Sequence, residues 1–235
     1  MYKHQPSRIL HALILFVFLV SLACQLPQLP ALPVRKPALT GTGTPVSSGA
    51  LLFEDDFSDR STGWERQAVP EGRMDYDSGG YRMLISGAQA NFWSTPHKDW
   101  ADARLEVDEG KLDGPDANRV GLICRYSGSS FYFFMITHDG FYGIGLFSGD
   151  EASGGQMNLI GQTELQSSPK INRGTAVNHL RADCAGSTLT FYVNGEQIAQ
   201  VQDTRLTRGD VGLLGGSFDE PGVDVIFDNF VVMQP

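Results

Sequence analysis

The dipeptide Asn194-Gly195 constrains the fold of this chain more than any other local feature. It lies between the segments LTFYV and QIAQV, both of which are rich in strand-forming residues. Asparagine and glycine tolerate two successive residues at positive φ, which is the backbone geometry that a two-residue β-hairpin requires. The sequence therefore predicts that these two segments pair as neighbouring antiparallel strands.

Strand-like segments recur through residues 51–235, with turn residues such as Asp113-Gly114-Pro115 and Asp139-Gly140 between them. No segment shows an apolar repeat of helical period that is long enough to predict an amphipathic helix. The predicted strands are Tyr81–Ser86, Ala90–Ser94, Ala103–Asp108, Arg119–Tyr126, Phe131–Thr137, Gly143–Phe147, Val177–Cys184, Thr188–Val193, Gln197–Val201, Asp210–Leu214 and Val223–Met233.

Alternation within these strands indicates which side chains face the core. One apolar face each is predicted for Val120/Leu122/Cys124, Leu180/Ala182/Cys184 and Leu189/Phe191/Val193. The segment Phe131–Ile136 is apolar on both faces, which predicts a central strand that is covered on both sides. Many short strands with one apolar face pack best as two layers, so the predicted fold class is all-β, a two-sheet antiparallel jelly-roll sandwich.

The charge of the chain is unevenly distributed. All 27 acidic side chains lie in 51–235 together with 14 of the 18 basic ones, so this region has a net charge of −13. Such a domain is a poor partner for nucleic acid, because phosphate backbones attract basic surfaces. We expect no nucleic-acid partner and a monomeric protein.

Residues 1–23 are predicted to be an export signal. Two basic residues, Lys3 and Arg8, precede an apolar run of 12 residues from Ala12 to Ala23. A helix that spans a bilayer needs roughly 20 such residues, whereas a basic start and a short apolar run are typical of a signal peptide. An uncleaved membrane anchor is the alternative.

The segment Val20-Ser21-Leu22-Ala23-Cys24 resembles the lipobox of bacterial lipoproteins. The resemblance implies that Cys24 is lipidated, that the signal is cleaved before it, and that the protein is held at the extracytoplasmic face of a membrane. An ordinary signal peptide cleaved near Ala23 is the alternative. The rest of 24–50 contains five prolines and ends in Gly, Thr and Ser, which predicts an extended tether before the domain 51–235.

Cys124 and Cys184 both lie on predicted apolar strand faces. Exported proteins meet an oxidising compartment, so these two residues are expected to form a disulfide. Two buried thiols that act as small apolar residues are the alternative.

The domain resembles a bacterial family of concanavalin A-like, laminin-G-like jelly-roll domains. The matching segments are Phe53–Ser58 with Gly63-Trp64, Gly121–Tyr126, Phe131–Phe133, Leu189–Gly195 and Phe227–Phe230. These domains are similar to 3-keto-disaccharide hydrolase-like and family 16 glycosidase-like sandwiches. The resemblance covers 51–235, and it implies the fold more strongly than the function.

Calcium is one ligand that the resemblance implies, because jelly-roll relatives bring the first and last strands together and bind calcium there. Glu54, Asp56 and Asp228 could supply carboxylate oxygens to a structural Ca²⁺. The alternative is that these acids hydrogen-bond to backbone amides in turns. No other cofactor is expected.

Catalysis of the family 16 type would need three carboxylates on one strand face. The chain offers Glu106 and Asp108 on one face, but Gly110 stands where the third would be. Two carboxylates at suitable separation can hydrolyse a glycosidic bond, so a glycoside-active hydrolase is one hypothesis. Polar residues on a solvated strand face are the alternative, and no catalytic residue is assigned.

Glycan binding is the favoured hypothesis, with adhesion to another protein as the second. Sugar rings stack on aromatic side chains, and their hydroxyls hydrogen-bond to planar polar groups. Trp93, Arg125 and Tyr142 are the predicted ligand-binding residues, with Arg125 expected to point outward because it follows the inward-facing Cys124. The predicted protein is thus an exported, lipid-anchored, non-catalytic binding module whose partner is a glycan or a surface protein.

Overall fold

The described part of the chain is built from β-strands without helices. The structure is a computed structural model that describes residues 49–149 and 155–235. The predicted signal 1–23, Cys24 and nearly all of the tether 24–50 lie outside these described residues. Within them, no helix is long and apolar enough to cross a membrane.

The strands are antiparallel and most are short. In chain order they are β1 (Leu51–Asp55), β2 (Gln67–Val69), β3 (Gly72–Asp77), β4 (Gly80–Ile85), β5 (Asn91–Ser94), β6 (Ala103–Asp113), β7 (Asn118–Tyr126), β8 (Ser130–Ile136), β9 (Phe141–Ser148), β10 (Gln156–Leu159), β11 (Gln166–Ser167), β12 (Asn178–Ala185), β13 (Thr188–Val193), β14 (Glu196–Gln202), β15 (Asp210–Ser217) and β16 (Val223–Met233).

Two sheets form the sandwich. The nine-stranded sheet has the order β14-β13-β12-β6-β16-β4-β3-β2, with β1 paired to β16. The seven-stranded sheet has the order β10-β9-β8-β7-β15-β5, with β11 paired to β9. This arrangement confirms the predicted all-β, two-sheet fold class.

All eleven predicted strands are present, although several end at other residues; β6, for example, continues to Asp113. The hairpin at Asn194-Gly195 joins β13 to β14, and both turn residues have positive φ. The strands that were not predicted are β1, β2, β3, β10 and β11.

Strand β8 is buried on both faces, as its sequence predicts. Tyr132, Phe134 and Ile136 point into the core between the sheets. Phe131, Phe133 and Met135 point the other way, into a second apolar cluster on the outer face of the seven-stranded sheet. We call this second group the outer cluster; it comprises Ile123, Phe131, Phe133, Met135 and Leu214, bordered by Trp93, Tyr126, Phe147, Met157, Leu159 and Leu165.

Two leucines beside β9 cover part of the outer cluster: Leu159, the last residue of β10, and Leu165, which precedes β11. Both lie against Gly143 of β9, where an added Cβ would be 2.7 Å from one leucine and 2.8 Å from the other. A residue with a side chain at position 143 would therefore require these leucine side chains to shift. Trp93 lies on β5 at the opposite edge of the sheet and is half-buried.

A disulfide joins the two sheets. Cys124 on β7 is bonded to Cys184 on β12, and both residues are buried in the core. The two cysteines are 60 residues apart in sequence, so the bond restricts a large part of the unfolded chain. On the chain-entropy model this closure stabilises the fold by roughly 4 kcal/mol.

We predict that the Cys124→Ala/Cys184→Ala double variant loses roughly 4 kcal/mol of unfolding free energy, because its unfolded chain is no longer cross-linked. Urea unfolding of the full chain measures this loss. The oxidised wild type treated with reductant is the control and should fall by a similar amount. Equal stability of the oxidised and reduced wild type would contradict the prediction.

Candidate functional site

Trp93 stands at the uncovered border of the outer cluster. Its ring lies 5.3 Å from Phe131 and 5.2 Å from Phe147, and these two phenylalanines stack on each other at 4.8 Å. Trp93 is paired with Leu214 of β15, a member of the same cluster. These contacts fix the indole in place, while its partial exposure leaves an aromatic surface open to a ligand.

Two grooves meet beside Trp93, and Asn91, two residues before it on the same strand face, lines both. We name them after one charged residue in each. The Arg119 groove, of about 350 Å³, is lined by Gln89, Asn91, Arg119, Phe147, Gly155, Met157, Phe218 and Asp219. The Glu65 groove, of about 560 Å³, is lined by Glu65, Gln67, Val69, Glu71, Met74, Ala90, Asn91, Phe92, Trp93 and Tyr126.

The Glu65 groove lies where the edge strands of the two sheets, β2 and β5, run beside each other. Glu65 precedes β2 and joins the two edges, because its carboxylate accepts hydrogen bonds from the Ser94 hydroxyl at 2.5 Å and the Thr95 amide at 2.7 Å. Both partners belong to the end of β5 or to the residue after it. The groove wall is thereby held by a charged hydrogen bond between the sheets.

The Arg119 groove contains a guanidinium that is fixed on one side. Arg119 Nη1 donates to Asn91 Oδ1 at 3.0 Å and to the Ser217 carbonyl at 2.6 Å. Its guanidinium carbon lies 4.0 Å from the centre of the Phe218 ring. Burial lowers the pKa of Arg119, and the charge of Asp219 opposes that effect. The side chain stays cationic, because arginine is protonated at any physiological pH.

Sequence reasoning missed Arg119. The same alternation that placed Val120, Leu122 and Cys124 inward also places Arg119 on the outer face with Ile123. Alternation alone could therefore have found it. No local sequence pattern could predict the groove, because its walls come from segments far apart in the sequence.

The expectation that Arg125 points outward is wrong. Arg125 is 2 % exposed and has a positive φ of 55°, which breaks the alternation at the end of β7. Its guanidinium instead forms hydrogen bonds inside the protein. It donates to the carbonyls of Ala101, Leu206 and Gly186 at 3.0, 2.8 and 2.7 Å and to Asp102 at 3.2 Å.

The structure does not bring Tyr142 to Trp93. Tyr142 packs against the core between the sheets, whereas Trp93 belongs to the outer cluster on the opposite face of the same sheet. Of the three predicted ligand-binding residues, only Trp93 therefore lines a groove. A second aromatic residue, Tyr126, lines the Glu65 groove with it.

The two carboxylates of the hydrolase hypothesis are both occupied by one histidine. On β12, His179 Nδ1 lies 2.8 Å from Asp108 Oδ1, and Nε2 lies 3.4 Å from Glu106 Oε2. Asn229 also donates to Asp108 at 2.9 Å. Burial acts to lower the pKa of His179, but its hydrogen bonds to both carboxylates outweigh burial and raise the pKa to about 9. An imidazolium that bridges the pair leaves neither carboxylate free to act as nucleophile or acid.

Two of the three acids proposed for calcium accept hydrogen bonds from nearby backbone amides. Asp56 accepts one from the Ser58 amide at 3.0 Å, and Asp228, within β16, accepts one from the Asn229 amide at 2.9 Å. Glu54 is exposed. No group of three His, Cys, Asp or Glu residues within 49–149 and 155–235 is arranged to hold a metal ion. For Asp56 and Asp228 the contacts match the alternative interpretation, in which the acids bind backbone amides.

Asp55, which lies between two of those acids, has a structural role. It is buried, and its carboxylate accepts from the Phe57 amide at 2.7 Å and from Trp64 Nε1 at 2.8 Å. Trp64 in turn packs edge-on against Phe230 of β16 at 5.0 Å. The segment after β1 is thus attached to the core by one carboxylate and one indole.

We predict that His179 stabilises the fold at neutral pH and that this contribution disappears in alkali. Its pKa is raised from the usual 6.5 to about 9, so the stabilisation is complete below pH 6.5 and is lost as pH rises through 9. The expected loss is about 3 kcal/mol. Unfolding free energies of the wild type and His179→Gln, measured from pH 6 to 10, should converge in alkali.

The control for this pH series is His97→Gln. The His97 side chain is 66 % exposed, so its replacement should leave the pH dependence of the wild type in place. A His179→Gln variant whose stability follows the wild-type curve at every pH would contradict the ionic role of His179.

Known structures with the same architecture are numerous, although no protein-family model and no curated protein sequence matches this chain. The carbohydrate-binding module CBM66 from Bacillus subtilis is 15 % identical, with a TM-score of 0.56 over 73 % of this chain and 96 % of that one. A Bacillus subtilis protein of unknown function with a galectin-like fold is 12 % identical, with a TM-score of 0.60 over 80 % and 97 %.

A glycoside hydrolase of family GH16 from a Bacteroides ovatus mixed linkage glucan locus is also similar. It is 8 % identical, with a TM-score of 0.53 over 77 % of this chain and 99 % of that one. Identities this low establish a common fold and leave function open. The described domain therefore has the concanavalin A-like jelly-roll fold, as the resemblance seen in the sequence implies.

Proposed function

We propose that this chain is a lipid-anchored extracytoplasmic protein whose jelly-roll domain binds glycans at the two grooves beside Trp93. The single observation that carries the proposal is the position of Trp93: a half-buried indole, fixed by Phe131 and Phe147, that lines the Glu65 groove two residues from Asn91, where that groove meets the Arg119 groove. The similarity to a carbohydrate-binding module and to a glycoside hydrolase of the same fold supports it.

The chemistry of the grooves suits a sugar chain. A pyranose presents an apolar C–H face that can stack on an indole, and its hydroxyls both donate and accept hydrogen bonds. Beside Trp93 the grooves offer amide side chains from Gln67, Gln89 and Asn91 together with charged groups. Concave apolar surface with a few convergent polar groups is the usual composition of a small-ligand site.

A binding role fits the charges better than hydrolysis. The carboxylate pair that the hydrolase hypothesis needs, Glu106 and Asp108, lies on the nine-stranded sheet and is bridged by His179. Trp93 lies on the other sheet. The aromatic platform and the carboxylates are thus on different sheets, and a sugar that stacks on Trp93 would not meet them.

A small cavity on the nine-stranded sheet is a poorer site. It has a volume of about 130 Å³ and is lined by Arg73, Asp75, Asp77, Arg82 and Leu84. Its charged side chains already form ion pairs with one another or with neighbours, and it has no aromatic wall. A ligand there would have to displace existing ion pairs.

The anchor is proposed from the sequence, because Cys24 lies outside the described residues. A diacylated cysteine followed by a proline-rich tether would hold the domain away from the membrane surface. Several acyl chains on one residue give stable attachment, whereas one chain gives only marginal binding. The grooves could then meet glycans at the cell surface.

We predict that Trp93→Ala weakens glycan binding at least tenfold, because it removes the stacking surface at the centre of the site. Trp93→Phe should retain part of the affinity, since it keeps an aromatic ring. A glycan array identifies the ligands, and isothermal titration with the best one measures the loss. Thermal unfolding of each variant verifies that the domain is folded during the titration.

The matched control is Phe141→Ala, because Phe141 is a large aromatic side chain, 38 % exposed, that lines neither groove. Its replacement should leave affinity unchanged. Absence of any glycan ligand for the folded wild type would refute the proposal and favour a protein partner. Equal losses in Phe141→Ala and Trp93→Ala would refute the location of the site.

We predict that labelled palmitate is incorporated into the wild type and that Cys24→Ala abolishes the incorporation, because the thiol is the acceptor of the lipid. Labelling in the producing bacterium, followed by fractionation of membranes, measures this. The control is Cys124→Ala/Cys184→Ala, which keeps Cys24 and should stay labelled. Undiminished labelling of Cys24→Ala would exclude the anchor.

A further inference from the structure

Among the described residues, Arg119 has no carboxylate partner of the kind that most arginines in this domain have. Nine of the other ten described arginines form an ion pair with a carboxylate of the described residues. The remaining one, Arg173, is exposed. Arg119 is half-buried, and no ion pair joins it to the described residues. Removing a cation from water costs free energy, and an opposite charge beside it offsets part of that cost.

The unpaired edge of Arg119 has a defined geometry. Nη1 donates to Asn91 and Ser217, and the Phe218 ring holds the plane of the guanidinium. The Nε and Nη2 groups donate to no acceptor among the described residues. These two N–H groups are parallel and match the two oxygens of a carboxylate.

The same chain shows how that edge binds a carboxylate. Arg82 uses Nε and Nη2 to hold Asp224, at 2.7 and 2.5 Å. Arg208 holds Asp99 through the same two nitrogens, at 3.1 and 2.7 Å. In Arg119 the equivalent nitrogens belong to a residue that lines the groove beside Trp93.

Asp219 does not fill this position. It lines the same groove, but it accepts a hydrogen bond from Gln89 Nε2 at 2.9 Å and is exposed. Its charge acts on Arg119 through space without a direct contact. The groove therefore offers a fixed cation with two donors that no described residue uses.

We propose that the sugar unit in the Arg119 groove carries a carboxylate, which the Nε and Nη2 edge of Arg119 binds in a bidentate manner. The inference rests on the proposed function, because it assumes a glycan stacked on Trp93. Asn91 and Trp93 are two residues apart on one strand face, roughly 6–7 Å along the chain, so a sugar over the indole has its neighbour close to Arg119.

The Glu65 groove favours a neutral sugar unit rather than an acidic one. Glu65 and Glu71 line it, and no lysine or arginine does. An acidic sugar would be repelled there, whereas a neutral one would find carboxylate acceptors for its hydroxyls. The preferred ligand is thus a glycan with an acidic unit next to a neutral unit, rather than a continuous run of acidic sugars.

The test uses matched pairs of oligosaccharides that contain one uronic acid next to neutral hexoses. One member of each pair has a free carboxylate, and the other has the methyl ester, which keeps the ring and removes the charge. The wild type should bind the free acid roughly tenfold or more tightly than the ester, because charge-assisted hydrogen bonds to arginine are lost in the ester.

Arg119→Met should bind both members of a pair with equal affinity, and Arg119→Lys should retain only part of the preference, because it offers no bidentate edge. Arg73→Met is the matched control; it removes an arginine that is 61 % exposed on the other sheet and should keep the wild-type preference. If Arg119→Met does not fold, Arg119→Lys makes the same comparison, and an undiminished preference for the acid in that variant would refute the role of Arg119.

The two proposals fail in distinguishable ways. A wild type that binds glycans in a Trp93-dependent manner but treats acid and ester alike refutes the acidic unit and leaves the glycan site standing. A preference for the acid that persists in folded Arg119→Met places the carboxylate elsewhere and also refutes the inference. A wild type that binds no glycan at all removes both.

Discussion

The burial of β8 on both faces determines how the rest of this domain is arranged. Its inner side chains meet the nine-stranded sheet, which satisfies the ordinary requirement of a sandwich. Its outer side chains, Phe131, Phe133 and Met135, would be exposed on a plain two-layer fold. Burying an apolar side chain stabilises by roughly 1.5–3 kcal/mol, so a second cover over this strand is strongly favoured.

That cover is incomplete, and the candidate site lies at its border. Leu159 of β10 and Leu165 pack beside Gly143 of β9, where an added Cβ would lie within 3 Å of both side chains. At the other edge of the sheet, the same apolar surface ends in Trp93 on β5, the outermost strand of this sheet among the described residues. Trp93 is therefore available to a ligand because apolar side chains also cover the outer face of this sheet, and Trp93 lies where that apolar surface meets solvent.

Alternation predicted most of the fold, since it depends only on side chains that face a core. It assigned the inward faces of β7, β12 and β13 correctly and identified β8 as central. Strands β2 and β11 are three and two residues long, too short for any periodicity to be detected. Arg125 shows the limit of the method within a strand, because one residue at positive φ redirected its side chain into the protein.

The site was less predictable than the fold for a physical reason. Trp93 and Asn91 share a strand face, and the sequence revealed that much. The grooves are formed where β2 approaches β5 and where Arg119 meets Phe218, pairs that are separated by many residues and joined only by the sandwich topology. Local spacing carries no information about such contacts. Alternation places both Arg119 and Arg125 on the outer face and so gives no reason to prefer one to the other.

The acidity of the domain and the cation at Arg119 act over different distances. A net charge of −13 repels an acidic glycan as it approaches, but salt at physiological strength screens exposed charges beyond about 8 Å. Contact with a half-buried guanidinium is screened much less. The long-range field should therefore slow association of acidic ligands, while Arg119 prolongs their residence once bound. Selectivity for an acidic unit would then lie in the dissociation rate, and moderate salt would speed association with little effect on release.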